Sequence, residues 1–328
     1  MKQLNYGEAI REGFDYLLTE NSNVFVLGQG LWSPWYVGNS MTDLDKKFGK
    51  DRIIDTPVSE SACTGAAVGA GLAGARPIVV HPRLDFMLYA MDAIVNQAAK
   101  WSHMTGGQAS PAVTIRGIIN RGGEQGAQHS QALHAWFAHT PGLAVVMPHS
   151  VSDARDLLIA SAMYDGPVVY IDDRWLYDQV DEVKEPQVQD LAAVRPKVLR
   201  KGSDITIVGC GYGVMLAMQA ADLLDGEGIN AEIIDLRLIA PLRVEEIVAS
   251  VKRTQRFVVV DPGTKTSGFA SEVITSVLER LQVGDLLSMP VRATLPDAPA
   301  PTSKRLEGRY YPAGSDVASI VMELFKSA

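Results

Sequence analysis

The chain has 328 residues, enough for two ordinary domains that each bury a core. Hydrophobic residues make up 47% and charged residues 21%, a globular balance. The net charge of −8 argues against a broad nucleic-acid or anionic-membrane surface.

The N-terminal residues Met1-Lys2-Gln3-Leu4-Asn5-Tyr6 lack the apolar stretch of a signal peptide. The weakly polar run 62–75 is too short and too glycine-rich to span a bilayer. Cys63 and Cys210 sit among small apolar residues at a spacing that fits no metal site, so both read as buried thiols of a reducing compartment. A cytoplasmic location follows as an expectation.

Taken in order, the elements alternate. Ala9, Ile10, Phe14, Leu17 and Leu18 recur at helical spacing, which predicts an amphipathic helix over 7–20. Strands are predicted at 24–27 and from 53, followed by a small-residue helix over 62–73 and a strand at 77–80. A helix over 86–104, a strand at 112–116 and a glycine-rich loop over 117–131 come next. Strand 144–147, helix 152–163 and strand 167–171 close the first half.

Residues 181–200, charged and proline-bearing, read as a linker between domains 1–180 and 201–328. The alternation restarts with strands at 205–208, 231–234 and 257–260 and helices at 214–224, 244–251 and 267–281. An irregular proline-rich crossing over 290–306 precedes a last helix over 315–325. The expected class is α/β, with two doubly wound, mainly parallel sheets.

Three constellations bear chemistry. In Asp55-Thr56-Pro57-Val58-Ser59-Glu60 a strand runs out, proline stiffens the turn, and Glu60 lands at a helix start. Glu60 is either a first-turn acid complementing the helix dipole or a carboxyl held in a cleft. The helix after it carries Gly65, Gly69, Ala70, Ala73 and Gly74. These small residues suit tight packing on its own sheet and equally a crossing at a subunit interface.

Gly126-Ala127-Gln128-His129-Ser130-Gln131 closes the glycine-rich loop, where His129 is structural or proton-handling. His134 and His139 flank Trp136-Phe137 and read as packing or surface residues. No His-Glu-x-x-His motif occurs, which disfavours a zinc hydrolase. Gly209-Cys210-Gly211-Tyr212-Gly213, with Asp235 ending the next strand, mimics a dinucleotide fingerprint, but Val214 stands where the third glycine belongs. A tight strand-to-helix turn accounts for these glycines better.

Taken together, Thr56-Pro57-Val58-Ser59-Glu60, Gly74-Ala75-Arg76-Pro77-Ile78, Ala93-Ile94-Val95-Asn96-Gln97-Ala98-Ala99-Lys100 and Gln128-His129-Ser130-Gln131 resemble a known family. Pro141-Gly142-Leu143, Ile234-Asp235-Leu236-Arg237 with Pro241-Leu242, and Leu306-Glu307 extend the likeness over essentially the whole chain. The family is the beta subunit of the decarboxylating component of 2-oxo acid dehydrogenases (pyruvate, branched-chain and acetoin), with transketolase a more distant relative.

The resemblance implies a pyrimidine-binding domain followed by a transketolase C-terminal domain. It gives Glu60 the hydrogen bond to the aminopyrimidine of thiamine diphosphate, promoting the imino tautomer that deprotonates the thiazolium carbon. Phe86 falls where an aromatic packs on that ring. His129 matches a histidine that handles protons near substrate and lipoyl acceptor.

The Gly-Asp-Gly motif that holds diphosphate and magnesium in the family is missing here. The expected partner is an alpha subunit carrying it, in a heterotetramer of two alpha and two beta chains, with a lipoyl acyltransferase as a further partner. The family's potassium site would fall near Val113 and residues 162–165, but Asp165-Gly166-Pro167 is one residue shorter than the family's loop, which argues against that ion.

Two loops depart from the family. Arg83 and Asp85, and Arg121 and Glu124, bring charge where pyruvate enzymes are bland. One reading pairs Arg83 with Asp85 and Arg121 with Glu124, which only rebuilds the loops. The other makes them substrate contacts, and the chain a carboligase or transketolase-like ketol transferase acting on a polar or sugar-derived substrate. A non-catalytic scaffold of the same fold is disfavoured by the presence of Glu60, Phe86 and His129 together.

Overall fold

The computed structural model describes residues 1–33 and 35–326 and divides into two compact units. The first comprises residues 1–120 and 136–194, the second residues 121–135 and 195–328.

In the first unit, strand β1 (Lys2–Asn5) leads into helix α1 (Tyr6–Glu20). The turn is a capping box: the Asn5 side chain accepts from the Glu8 N–H, and the Glu8 carboxylate accepts from the Asn5 N–H, both at 2.8 Å. α1 buries Ala9, Ile10, Phe14, Leu17 and Leu18, the face its periodicity predicts. Then follow β2 (Val24–Gly28), β3 (Tyr36–Asn39), α2 (Leu44–Phe48), β4 (Ile53–Asp55), α3 (Glu60–Leu72) and β5 (Arg76–His81).

The predicted helix over 86–104 is not one helix. It is a 3-10 turn (Phe86–Ala90), a π-helical stretch (Asp92–Ala98) and the short α4 (Trp101–Met104). Next come β6 (Thr114–Ile119), α5 (His134–Ala138, whose first two residues belong to the second unit), β7 (Ala144–Val146), α6 (Val151–Met163), β8 (Val168–Asp173) and β9 (Val180–Val183). The segment read as a linker thus opens on β9, which pairs antiparallel with β1.

The central strands of this unit lie in the order β7-β8-β6-β5-β2-β4, and every adjacent pair is parallel. The chain leaves β2 to one side for β4 and returns to the other side for β5. This makes β2 a topological switch point, and the C-terminal ends of β4, β2 and β5 open onto one crevice. Arg116 on β6 pairs with Asp172 on β8 through Nε (2.8 Å) and Nη2 (2.9 Å), and both side chains are wholly buried.

The second unit contains β10 (Lys197–Arg200), β11 (Ile205–Gly209), α7 (Tyr212–Asp225), β12 (Ala231–Asp235), β13 (Leu238–Ala240), α8 (Glu245–Thr254) and β14 (Phe257–Thr264). It continues with α9 (Phe269–Leu278), β15 (Val291–Leu295), α10 (Lys304–Tyr310) and α11 (Gly314–Lys326). Its sheet runs β10-β12-β11-β14-β15, parallel except for the edge strand β10. Val214, Ala217, Ala221 and Leu224 of α7 pack with Val317 and Val321 of α11 over this sheet. The crossing expected to be irregular therefore includes a paired edge strand, β15, and the start of α10. Among the described residues no helix is long and apolar enough to cross a membrane.

Candidate active site

In the first unit the ends of β2, β4 and β5 border a shallow, partly open recess. Gly28 and Gln29 line it from β2, Thr56, Pro57 and Ser59 from the turn after β4, and Val79 to Pro82 from β5, with Glu60 and Cys63 on the first turn of α3. The rim is tied down locally. The Asp55 carboxylate accepts the N–H of Gly30 at 2.6 Å and of Leu31 at 3.2 Å, and the Thr56 N–H donates to the Gly28 carbonyl at 2.9 Å. Gly28 is required by close approach, since a Cβ there would meet the Val80 carbonyl at 2.4 Å.

Glu60 is the first residue of α3 and is half-buried. It is the one charged side chain among the described lining residues, since His81 is held neutral. Burial pushes the His81 imidazole down to about 4, and its Nε2 lies 3.1 Å from the Thr64 hydroxyl on α3. Cys63 is half-buried and lines the recess, which corrects the expectation of a buried thiol, whereas Cys210 is buried as expected. On the outer side of α3, a Cβ at Gly65 or Gly69 would meet nothing within 4 Å. The small residues there face outward and do not pack on their own sheet.

Phe86 opens the 3-10 turn after β5 in this unit and is half-buried, outside the residues that line the recess. Arg83, one residue past the recess, makes no ion pair with Asp85. Its Nη1 is buried without an acceptor, while Asp85 itself is buried. The expected Arg83–Asp85 pair is therefore absent.

His129 belongs to the second unit, half-buried in the glycine-rich loop, with its backbone N–H donating to the Gly126 carbonyl at 3.4 Å. The expected Arg121–Glu124 pair does not form either. Glu124, at a φ of 61°, donates its N–H to the Glu307 carboxylate at 2.9 Å and accepts the Lys304 N–H at 3.3 Å. The Arg121 guanidinium instead stands over the Tyr212 ring at 5.6 Å.

His134, read as packing or surface, is fully buried with Nε2 2.9 Å from the Asp261 carboxylate. Burial alone would raise Asp261. The imidazole and the N–H groups of Gly263 and Ala270 outweigh it and hold the carboxyl below its usual range. Nothing local in the sequence points from His134 to Asp261, 127 positions away; only the apolar run of β14 ending in Asp-Pro-Gly marks a strand end. The Gly209–Gly213 turn is filled by its own backbone. A Cβ at Gly213 would meet the Val260 carbonyl at 2.5 Å, and one at Gly209 the Gly213 carbonyl carbon at 2.9 Å. That leaves no room for a pyrophosphate.

Comparison with known proteins agrees with this layout. Residues 2–179 match the transketolase pyrimidine binding domain and residues 195–317 the transketolase C-terminal domain. The chain is 36% identical over 324 residues to the pyruvate dehydrogenase E1 component subunit beta of Rhizobium meliloti, covering 98% of this chain and 70% of that one. It is 35% identical to the corresponding subunit of Rickettsia felis, covering 98% of each. Among solved structures it is similar to a split gene transketolase described as an inactive beta4 tetramer, at a TM-score of 0.79, 23% identity and 98% coverage of both chains. It also matches transketolase of Campylobacter jejuni, at a TM-score of 0.72 and 13% identity, over 98% of this chain and 47% of that one. The chain belongs to the family of pyruvate dehydrogenase E1 component beta subunits, built from a transketolase pyrimidine-binding domain and a transketolase C-terminal domain.

Proposed function

We propose that this chain is the beta subunit of a thiamine-diphosphate-dependent 2-oxo acid dehydrogenase, and that the recess at Glu60 takes the aminopyrimidine of the cofactor. The observation that carries the reading is the donor set of that recess. One carboxyl, at a helix start, faces a crevice whose other walls are apolar or neutral, at the switch point of a parallel sheet. This suits a flat, neutral heterocycle with a ring nitrogen to protonate.

It does not suit a diphosphate. No Lys or Arg lines the recess, and among the described residues no cluster of three or more His, Cys, Asp or Glu side chains is set to hold a metal ion. The diphosphate and magnesium therefore belong on an alpha subunit, in an assembly of two alpha and two beta chains.

When bound, thiamine diphosphate supplies the electron sink for decarboxylation of the 2-oxo acid. Glu60 holds a proton at the aminopyrimidine ring nitrogen, and Phe86 packs near that ring. His129, in the other unit, carries the proton transfers that accompany acyl transfer to lipoyl. Val79, Val80 and Pro82 keep the recess apolar, which strengthens the Glu60 hydrogen bond. The carbonyl oxygens of Ala162 and Tyr164 accept from Arg76 Nη1 at 3.2 and 3.1 Å, and Asp165 pairs with Nη2 of the same guanidinium. Oxygens engaged by an internal cation support the view that potassium is not needed there.

A second reading, ketol transfer or carboligation on a polar substrate, is favoured by one observation: Arg83 forms no ion pair with Asp85, and its buried Nη1 has no acceptor. The test is turnover of this chain co-purified with its alpha partner, with thiamine diphosphate, magnesium and an artificial electron acceptor, over a panel of 2-oxo acids. Turnover of pyruvate or a branched-chain acid is expected. Silence on all simple acids with cofactor bound would transfer the assignment to the second reading.

A further inference from the structure

We propose that Arg83 and Arg174 form an oxyanion subsite at the C-terminal edge of the first unit's sheet, beside the Glu60 recess, which takes the carboxylate or phosphate of the substrate. This deepens the reading above by naming the charge of the substrate, and it rests on that reading for the word substrate alone.

The placement comes from the fold. Arg83 lies two residues past β5, and the N–H of the next residue, Leu84, donates to the Ile118 carbonyl at 2.8 Å near the end of β6. Arg174 directly follows β8, on the other side of β6. The two guanidinium groups thus flank the end of one strand. Tyr36 stands between them and the recess. Its carbonyl accepts from Arg174 Nη2 at 3.1 Å, and its hydroxyl accepts from Gln29 Nε2 at 3.1 Å, Gln29 being a lining residue of the recess. Arg83 follows Pro82, another lining residue.

Each arginine leaves a buried donor without an acceptor: Nη1 of Arg83 and Nε of Arg174. Among the described residues the Arg83 side chain makes no hydrogen bond and no ion pair. Burial, and then the like charge of Arg174, hold its guanidinium below the usual range, with Asp85 opposing. A fold does not gain by setting two cations together with their donors unmet. An anion bridging them would satisfy both, and arginine forks match carboxylate and phosphate geometry. The neighbouring acids do not fill that role: Asp85 attracts Arg83 without forming an ion pair with it, Asp172 is paired with Arg116, and Asp173 accepts the Trp175 N–H at 3.0 Å.

The test is calorimetric titration of the full chain, without thiamine diphosphate, with pyruvate and separately with inorganic phosphate. Saturable binding of at least one anion is expected, weakened roughly tenfold or more in Arg83→Gln and in Arg174→Gln and partly kept in Arg83→Lys. Pyruvate binding without phosphate binding identifies a carboxylate subsite, and the reverse a phosphate subsite. Should Arg174→Gln fail to fold, Arg83→Gln carries the test alone, because Arg83 has no partner to lose. Glu60→Gln binds the anion like the wild type, so a failure of the cofactor reading leaves this result standing. No saturable binding of either anion, or unchanged binding in Arg83→Gln, overturns the proposal.

Discussion

Two turns in this chain have the same grammar and opposite outcomes. In each, a parallel strand ends, small residues follow and a helix begins: β4 to α3 at Glu60, and β11 to α7 at Gly209–Gly213. Around the first, the ends of β2, β4 and β5 leave a crevice, and Glu60 lines it. In the second, the backbone of Gly213 sits where a side chain would strike the Val260 carbonyl, and the crevice is filled from within. A strand-to-helix turn therefore does not by itself mark a ligand site, and the surrounding strand order decides whether its crevice is left open or filled by the protein's own backbone.

Substitutions can break or sharpen this contrast. The largest effect is expected in the core that supports the open turn. Asp172→Ala strands the wholly buried Arg116 charge and should cost about 3–5 kcal/mol of stability in chemical denaturation. A pH effect of similar size is expected from His81. Its folded pKa, about 4, lies below the unfolded value of 6.5, so the unfolded chain binds the extra proton as pH falls. Stability from this group is complete above pH 6.5, declines between 6.5 and 4, and is fully lost below, by up to about 3 kcal/mol. Comparing wild type with His81→Asn over that window isolates it, and parallel curves would remove His81 from the account.

Smaller effects separate the two turns directly. Gly213→Ala forces a Cβ to 2.5 Å from a backbone oxygen and should destabilise by about 1–3 kcal/mol in thermal unfolding. Gly65→Ala, on the outward face of α3 with nothing within 4 Å, should leave the isolated chain unchanged or raise its stability by up to about 1 kcal/mol. If the two changes cost the same, the filled-versus-open distinction is wrong.

Much of this was readable in the residues, for identifiable reasons. α1, α6 and the inner strands β5, β6 and β8 carry strong periodicity or unbroken apolar runs, because both faces of a parallel sheet are covered. Edge strands do not announce themselves. β9 reads Val-Asp-Glu-Val with three exposed residues, and β15 alternates between prolines, so both passed for loops. The break of 86–104 into 3-10, π and α turns was invisible, since hydrophobic spacing does not distinguish the three hydrogen-bond patterns over so few residues. At the site, the strand-turn-helix setting alone left Glu60 open between a first-turn acid and a cleft carboxyl, because the ends of β2 and β5 that complete the recess come from elsewhere in the chain. The unpaired state of Arg83 was not, because the residue that shares its surroundings, Arg174, lies 91 positions away. The charges of the 121–125 loop were legible, but the groups that meet them, the Lys304 N–H at Glu124 and the Tyr212 ring at Arg121, come from distant elements.

The central claim is that Glu60 acts on the cofactor's aminopyrimidine. It is tested most directly by titrating thiamine diphosphate with magnesium into the complex of this chain and its alpha partner, in wild type and Glu60→Gln, and following binding and turnover together. The account predicts that Glu60→Gln still binds the cofactor but loses about 10²- to 10⁴-fold in turnover. Turnover equal to wild type at saturating cofactor would contradict it.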